Sequence, residues 1–357
     1  MNNYNGGKPL KYQSMAIERK ILLHSKGKDY PVETSLIHDD LKNYIWRHAR
    51  VYVDRDEHGW VMEQKLDIFG ICISKDMHCL PAGSILKLES YLPILAVNQS
   101  THYLVETAEG HTVAVGDSSS SSVGLYRVTK GVNTAIVEGG VAEIFYITIW
   151  PKYIDRLCKM FPEMRRFKRW MDFNTTSRVH DRNISMNHIR ETAKRRMLDC
   201  QDLRPFGIKY IHRNAINFMC NFMNELVEGS GEEISQLERD YAQEIAEAIN
   251  SNLGVFDIES YLAARFNKNF QDLNDHFQAV MHCTIHHYLK MERMDWAYMQ
   301  LLTTIEEEET IASMCGYLPC INPDGSVSTA DTSFERFKKD FREYYRLSVM
   351  DVRTEHN

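Results

Sequence analysis

Two stretches near the carboxy end carry side chains suited to gripping and reading a nucleic acid. Base edges in a groove are recognised by groups that donate and accept in pairs, above all Arg, Lys, Asn and Gln. Gln271, Asn274 and Gln278 recur at helical spacing, opposite the apolar set Phe270, Leu273, Phe277 and Val280. Arg336, Lys338, Lys339 and Arg342 form the second stretch and suit phosphate and guanine contact. Asp272 and Asp275 interrupt the first. Near phosphate they repel, although a carboxylate can accept from cytosine N4.

The elements that must hold these residues are helical. Ile258, Leu262 and Phe266 fall at i, i+4 and i+8, so one helical face is apolar. Asn267-Lys268-Asn269 is a break of turn-type composition, and the Phe270 set starts a second helix. Two helices around so short a turn form the helix-turn-helix arrangement, whose second helix can lie in a DNA major groove. Tyr288–Leu302 follows as a long helix with Met291, Met294, Tyr298, Leu301 and Leu302 as its core stripe. Residues 238–253 give a helix that precedes and packs on the first pair.

The run from Leu262-Ala263 through Phe266, Leu273, Phe277, Tyr288, Arg293 and Ala297 to Leu301 resembles the first helix-turn-helix of the AraC family of bacterial transcription regulators. TIASMCGY at 310–317 resembles the opening of that family's second module. RFKKDFREYYRLSVMDVR at 336–353 resembles its closing signature, with Phe337, Phe341, Tyr345, Ser348 and Arg353 in place. The resemblance places Arg336, Lys338, Lys339 and Arg342 on the second module's reading helix. It also implies duplex DNA, a small-molecule effector, a second copy of the chain as a homodimer, and RNA polymerase as partners. The chain departs from the family at several positions. His282 and Arg346 stand where it commonly has glycine, Val349 where it has proline, and Glu308 at a usually apolar place. Residues 318–332 are an insertion with a turn signal at Pro323-Asp324-Gly325.

Ahead of these modules the pattern changes twice. From Trp60 to Trp150 short β-type runs alternate with turn signals, which predicts a β-sandwich or small barrel. Leu66–Ile73 is read as one of those runs, and Asp56–Gly59 as a turn. The resemblance makes this a cupin-like sensor. His78, His102 and His111 are spread singly, without the closely spaced histidine pair of metal cupins, so no metal and no cofactor are expected. That region holds no G-x-S-x-G, P-loop or H-E-x-x-H motif either, and the chain is read as a non-enzyme. The serine run Ser118–Ser122 reads as a loop tip. Residues 151–228 take helical periodicity and read as a connector or dimerising segment. Glu228-Gly229-Ser230-Gly231 reads as a linker.

The expected fold class is therefore α+β: a β-rich sensor at 1–150, a helical connector at 151–228, and an all-α double helix-turn-helix domain at 232–357. No apolar run approaches the roughly 20 residues of a membrane span. The eight cysteines are scattered without a CxxC pair, which fits a reduced, cytoplasmic protein with no membrane partner. Charge is uneven. Residues 151–231 carry a net +7, whereas residues 232–357 carry a net −12. Phosphate contact supplies most non-specific affinity for DNA. The acidic block therefore motivates a second reading, a regulator that acts through protein contacts without DNA. A cupin-type small-molecule enzyme is the third.

Overall fold

The computed structural model describes residues 17–22, 37–100, 103–106, 112–115, 122–137, 139–171, 176–179, 184–228, 234–318 and 333–353. His102, His111, most of the serine run, Gly229–Gly231 and insertion residues 319–332 lie outside them. The chain is an α+β protein of two compact units, Met1–Met186 and Asn187–Asn357.

The first unit is a two-sheet sandwich. One sheet has the order β1 (Glu18–Leu22), β5 (Ile85–Ser90), β10 (Gly131–Ile136), β7 (Tyr103–Glu106) and β8 (Thr112–Val115). The other runs β12 (Ser177–Arg178), β9 (Ser122–Val128), β6 (Ile94–Ser100), β11 (Gly140–Ile149), β4 (Ile71–Leu80), β3 (Gly59–Ile68) and β2 (Arg50–Asp56), with β13 (Ile184–Ser185) also on β9. Ile21, Leu86 and Ala135 from the first sheet meet Val61, Leu80, Ile144 and Tyr146 from the second in one apolar cluster. Alternating side chains on each strand thus close the space between the sheets. Helix α1 (Ile154–Met160) and a 3-10 stretch at Pro162–Trp170 follow, with Leu157, Met164 and Phe167 fully buried.

One expected strand is really a hairpin. Leu66–Ile73 spans the end of β3, the turn Phe69-Gly70 and the start of β4. Both turn residues have positive φ, 42° and 98°. That is the backbone twist a two-residue hairpin needs, but Phe in the first place carries none of the usual Asn-Gly signal. The turn at 56–59 is present, with Asp56 paired to Gly59 across a two-residue loop.

The second unit is helical: α2 (His188–Asp199), α3 (Pro205–Glu228), α4 (Gln236–Asn250), α5 (Ile258–Phe266), α6 (Phe270–Met281), α7 (Ile285–Thr303), α8 (Glu308–Met314), α9 (Ser333–Tyr345) and α10 (Val349–Arg353). The unit boundary falls at Met186/Asn187 instead of at the glycine-serine linker, so the 151–228 segment is divided. The physical reason is polar: α2 and α3 bury hydrogen-bonding groups that bond to the later helices. Arg196 of α2 reaches Glu292 and Asp295 of α7, and Asn221 of α3 donates to the Met281 carbonyl.

Candidate nucleic-acid interface

The first module is set by its caps. Asp257 accepts from the Ser260 amide to open α5, and Asn267 closes it with φ 48°. Asn tolerates that left-handed conformation better than most residues. Asn269 then accepts from the Gln271 amide at 2.7 Å and opens α6. Two caps within three residues leave both helices satisfied and fix the turn between them. Leu262, Leu273, Phe277 and Val280 are buried, each worth about 1.5–3 kcal/mol of removal from water.

The outer face of α6 differs from a generic reader. Gln271, Asp272, Asp275, Gln278 and Ala279 are exposed. Gln271 Nε2 donates to Asp275 at 2.6 Å, one turn along. Asn274 is only half-exposed, and its Oδ1 accepts from the Ile285 amide at 3.0 Å. Through that bond it holds the start of α7. Of the three expected readers on this helix, Gln271 and Gln278 are exposed and Asn274 is half-exposed and bonded to the start of α7.

The long α7 ties the modules together. Arg293 donates to the Leu253 carbonyl at 2.8 Å and to the Val255 carbonyl at 2.6 Å, on the loop before α5. Gly316, just past α8, has φ 78°, and a Cβ there would lie 2.4 Å from the Arg293 guanidinium. Lys290 of α7 pairs with Asp340 of α9 at 2.6 Å, and the Tyr317 hydroxyl donates to the same carboxylate at 2.9 Å. Phe337, Phe341, Tyr344 and Tyr345 form the buried face of α9.

The outer face of α9 is basic. Arg336, Lys339 and Arg342 are exposed, along with Arg346 at its carboxy end. Glu335 and Glu343 are exposed there too. Lys338 is turned aside: its ammonium pairs with Glu335 and lies 4.6 Å from the Phe334 ring centroid. Arg336 sits 5.5 Å from the Tyr317 ring. Neither Lys339 nor Arg342 makes an ion pair among the described residues. Arg346 was absent from the expected site; its place one turn beyond Arg342 was the available signal.

His282 and Arg346 occupy left-handed backbone, with φ 56° and 59°. Each ends a second helix, and a side chain in that conformation costs about 1–2 kcal/mol. Glycine, with no Cβ, would adopt that conformation without the cost. His282 is offset by a partner: its Nε2 lies 3.2 Å from Glu225 of α3, which also binds Arg190 of α2 at 2.6 Å. Burial opposes ionisation of Glu225, but the His282 imidazole and the Arg190 guanidinium outweigh it and hold its carboxyl down to about 2.

Sequence reasoning also missed α3 as part of the second compact unit. Asn217 donates to the Tyr344 hydroxyl at 2.7 Å, Asn221 to the Met281 carbonyl at 2.7 Å, and Asn224 to the His282 carbonyl at 3.0 Å. One helix therefore grips the ends of α6 and α9. The asparagines at 217, 221 and 224 repeat at helical spacing within an apolar helix, and that pattern was legible. Nearby, burial pushes Asp295 up to about 6 against the pull of Arg196, and the Tyr345 hydroxyl donates to it.

The sandwich unit buries a second polar group of residues. Lys65 pairs with Glu63, and the Tyr146 hydroxyl donates to Asp76 at 2.6 Å, all within the second sheet. Burial raises the Asp76 carboxyl to about 7, with Lys65 opposing and Glu63 adding to the rise. His78 is buried on the same strand, and burial lowers it to about 4, so it stays neutral. Among the described residues no cluster of three or more His, Cys, Asp or Glu is placed to hold a metal ion, and no helix is long and apolar enough to cross a membrane.

No protein-family model matches the chain, and no curated protein matches it. Among solved structures it is similar to the C-terminal domain of the two-component response regulator yesN from Fusobacterium nucleatum, at 21% identity over 32% of this chain and 98% of that one, TM-score 0.26. It is similar to ToxT from Vibrio cholerae at 9% identity over 78% of this chain and 97% of that one, TM-score 0.27. A cupin domain from Bordetella pertussis matches at 15% identity over 28% of this chain and 92% of that one, TM-score 0.18.

Proposed function

We propose that this chain is a sequence-specific, DNA-binding transcription regulator of the AraC type, with a ligand-responsive β sandwich and no catalytic role. The observation that carries the reading is the solvent face of α9. It presents Arg336, Lys339, Arg342 and Arg346 on a helix whose other face is locked into a helix-turn-helix core. Side chains of that kind neutralise phosphate and pair with guanine. The local face outweighs the domain total, because at physiological salt charges beyond about 8 Å are largely screened.

The effector part of the reading rests on the buried Glu63, Lys65, Asp76 and Tyr146 group inside the sandwich. Buried polar side chains in an otherwise apolar interior are the sort that orient a small polar ligand. A ligand there acts on DNA binding only by favouring one of two arrangements of the protein. Cytoplasmic action, self-association and contact with RNA polymerase belong to the same reading through the sequence resemblance.

The test is duplex selection from a random pool, followed by titration of the selected site at several salt concentrations. Lys339→Ala with Arg342→Ala is expected to weaken binding at least tenfold and to flatten the salt dependence by about two phosphate contacts, roughly 0.9 in slope for each. Binding with unchanged affinity and slope contradicts the assignment.

A further inference from the structure

We propose that the second module alone reads bases, through Arg336, Lys339, Arg342 and Arg346 of α9, while α6 of the first module stands clear of the groove. This inference rests on the DNA-binding reading above and divides its labour between the modules.

The two second helices share a frame but not a surface. The exposed positions of α6 are Gln271, Asp272, Asp275, Gln278 and Ala279, with no cation among them. Asp275 lies near the middle of that exposed arc, one turn from both Gln271 and Gln278. A helix seated in the major groove brings the middle of its exposed face closest to the base edges and the flanking phosphate rows. A carboxylate there meets repulsion from both strands. Gln271 is already engaged with that carboxylate, so base contact by Gln271 requires breaking a formed hydrogen bond. Asn274 is half-exposed and accepts from the first turn of α7. Gln278 is the one amide of α6 exposed without a bond to Asp275, and it sits at the edge of the arc, one turn past that carboxylate.

The first module's cations do not relieve this. Arg265 lies on α5 beside the Tyr261 hydroxyl, and Lys268 lies in the turn over the Tyr241 ring at 4.6 Å. His276 faces the Glu238 carbonyl, and His286 pairs with Glu259. On α9 the order is reversed. Lys338 pairs with Glu335, and Arg336, Lys339, Arg342 and Arg346 are exposed beside Glu343. Arg346 extends that arc by a turn because its left-handed backbone ends the helix and leaves the side chain exposed.

The test uses the full chain and the duplex selected by the wild-type protein, at physiological salt. Two sets of variants are compared: Gln271→Ala with Gln278→Ala and Asp275→Asn on α6, against Lys339→Ala and Arg346→Ala on α9. The expected result is a change under threefold for each α6 variant and a loss of tenfold or more for each α9 variant. Thermal unfolding checks that every variant retains the fold. A tenfold loss on the α6 side, with fold intact, overturns single-module reading while leaving DNA binding in place. Failure of the wild-type protein to select any duplex overturns both.

Discussion

The two helix pairs, α5–α6 and α8–α9, differ in the balance of forces that holds them and present opposite charge to solvent, although α9 also takes polar bonds from Asn217 and Lys290. The first is fastened to α2 and α3 by buried polar groups: Arg190, Glu225 and His282, with Asn221 and Asn224 on the adjoining carbonyls. Its second helix, α6, exposes two aspartates. The second is fastened chiefly by aromatic packing, with the Phe337 and Phe341 ring centroids 5.9 Å apart and Tyr345 in tilted contact with both Phe341 and Tyr298. Its second helix, α9, exposes Arg336, Lys339 and Arg342 beside Glu335 and Glu343, with Arg346 just past its end. The difference teaches that the apolar periodicity of a module fixes its core and says nothing of its outer face. Two modules of one frame are free to serve different ends.

The largest expected effects come from breaking the two anchors. Arg190→Met leaves Glu225 without its guanidinium inside the fold, at a cost of about 3–5 kcal/mol. Phe341→Ala empties part of the aromatic core at a similar cost of about 3–5 kcal/mol. Urea unfolding at neutral pH measures both. A loss below 1 kcal/mol for Arg190→Met removes the polar half of the comparison.

Acid separates the anchors next. Glu225 ionises at about 2 in the folded chain and at 4.5 when unfolded. The unfolded state therefore takes up the proton first as pH falls, and stability from this group is complete above 4.5 and lost towards 2. The shift corresponds to about 3 kcal/mol. The stability gap between wild type and Glu225→Gln should shrink across that window, whereas the gap between wild type and Phe341→Ala should not. Parallel behaviour of the two variants contradicts the ionic account of the first anchor.

The smallest effects have opposite signs at the two left-handed positions. His282→Gly relieves backbone strain but removes a buried partner of Glu225, for a net loss of about 2 kcal/mol. Arg346→Gly relieves similar strain at an exposed site and should stabilise by about 0.5–1 kcal/mol, while weakening duplex binding. Equal shifts in the midpoint temperature of the two variants would erase the distinction between a buried and a displayed replacement.

Much of this frame was legible in the sequence. Ile258, Leu262, Phe266 and the Phe270 set marked α5 and α6, and the flagged glycine replacements fell on the two positive-φ helix ends. The turn at Asp56–Gly59 was readable from its residues, whereas Phe69-Gly70 was not, since nothing in a phenylalanine announces positive φ. Asn274 shows the limit of face assignment. Its spacing places it beside Gln271 and Gln278, yet the amide of Ile285, eleven residues away, decides its role. The unit boundary was hidden for a similar reason. A Gly-Ser segment advertises a break, but Asn217, Asn221 and Asn224 of α3 donate to groups on helices beyond it. Buried long-range hydrogen bonds leave no periodic trace unless their donors repeat, as Asn217, Asn221 and Asn224 do.

The most direct measurement is the sequence motif enriched when the full chain selects from random duplex DNA. Reading by α9 alone predicts one compact motif per protein chain, within a single major-groove face, repeated as identical copies when two chains bind. Two unlike motifs for each chain, set about 10 base pairs apart as two seated helices on one duplex face require, would contradict it.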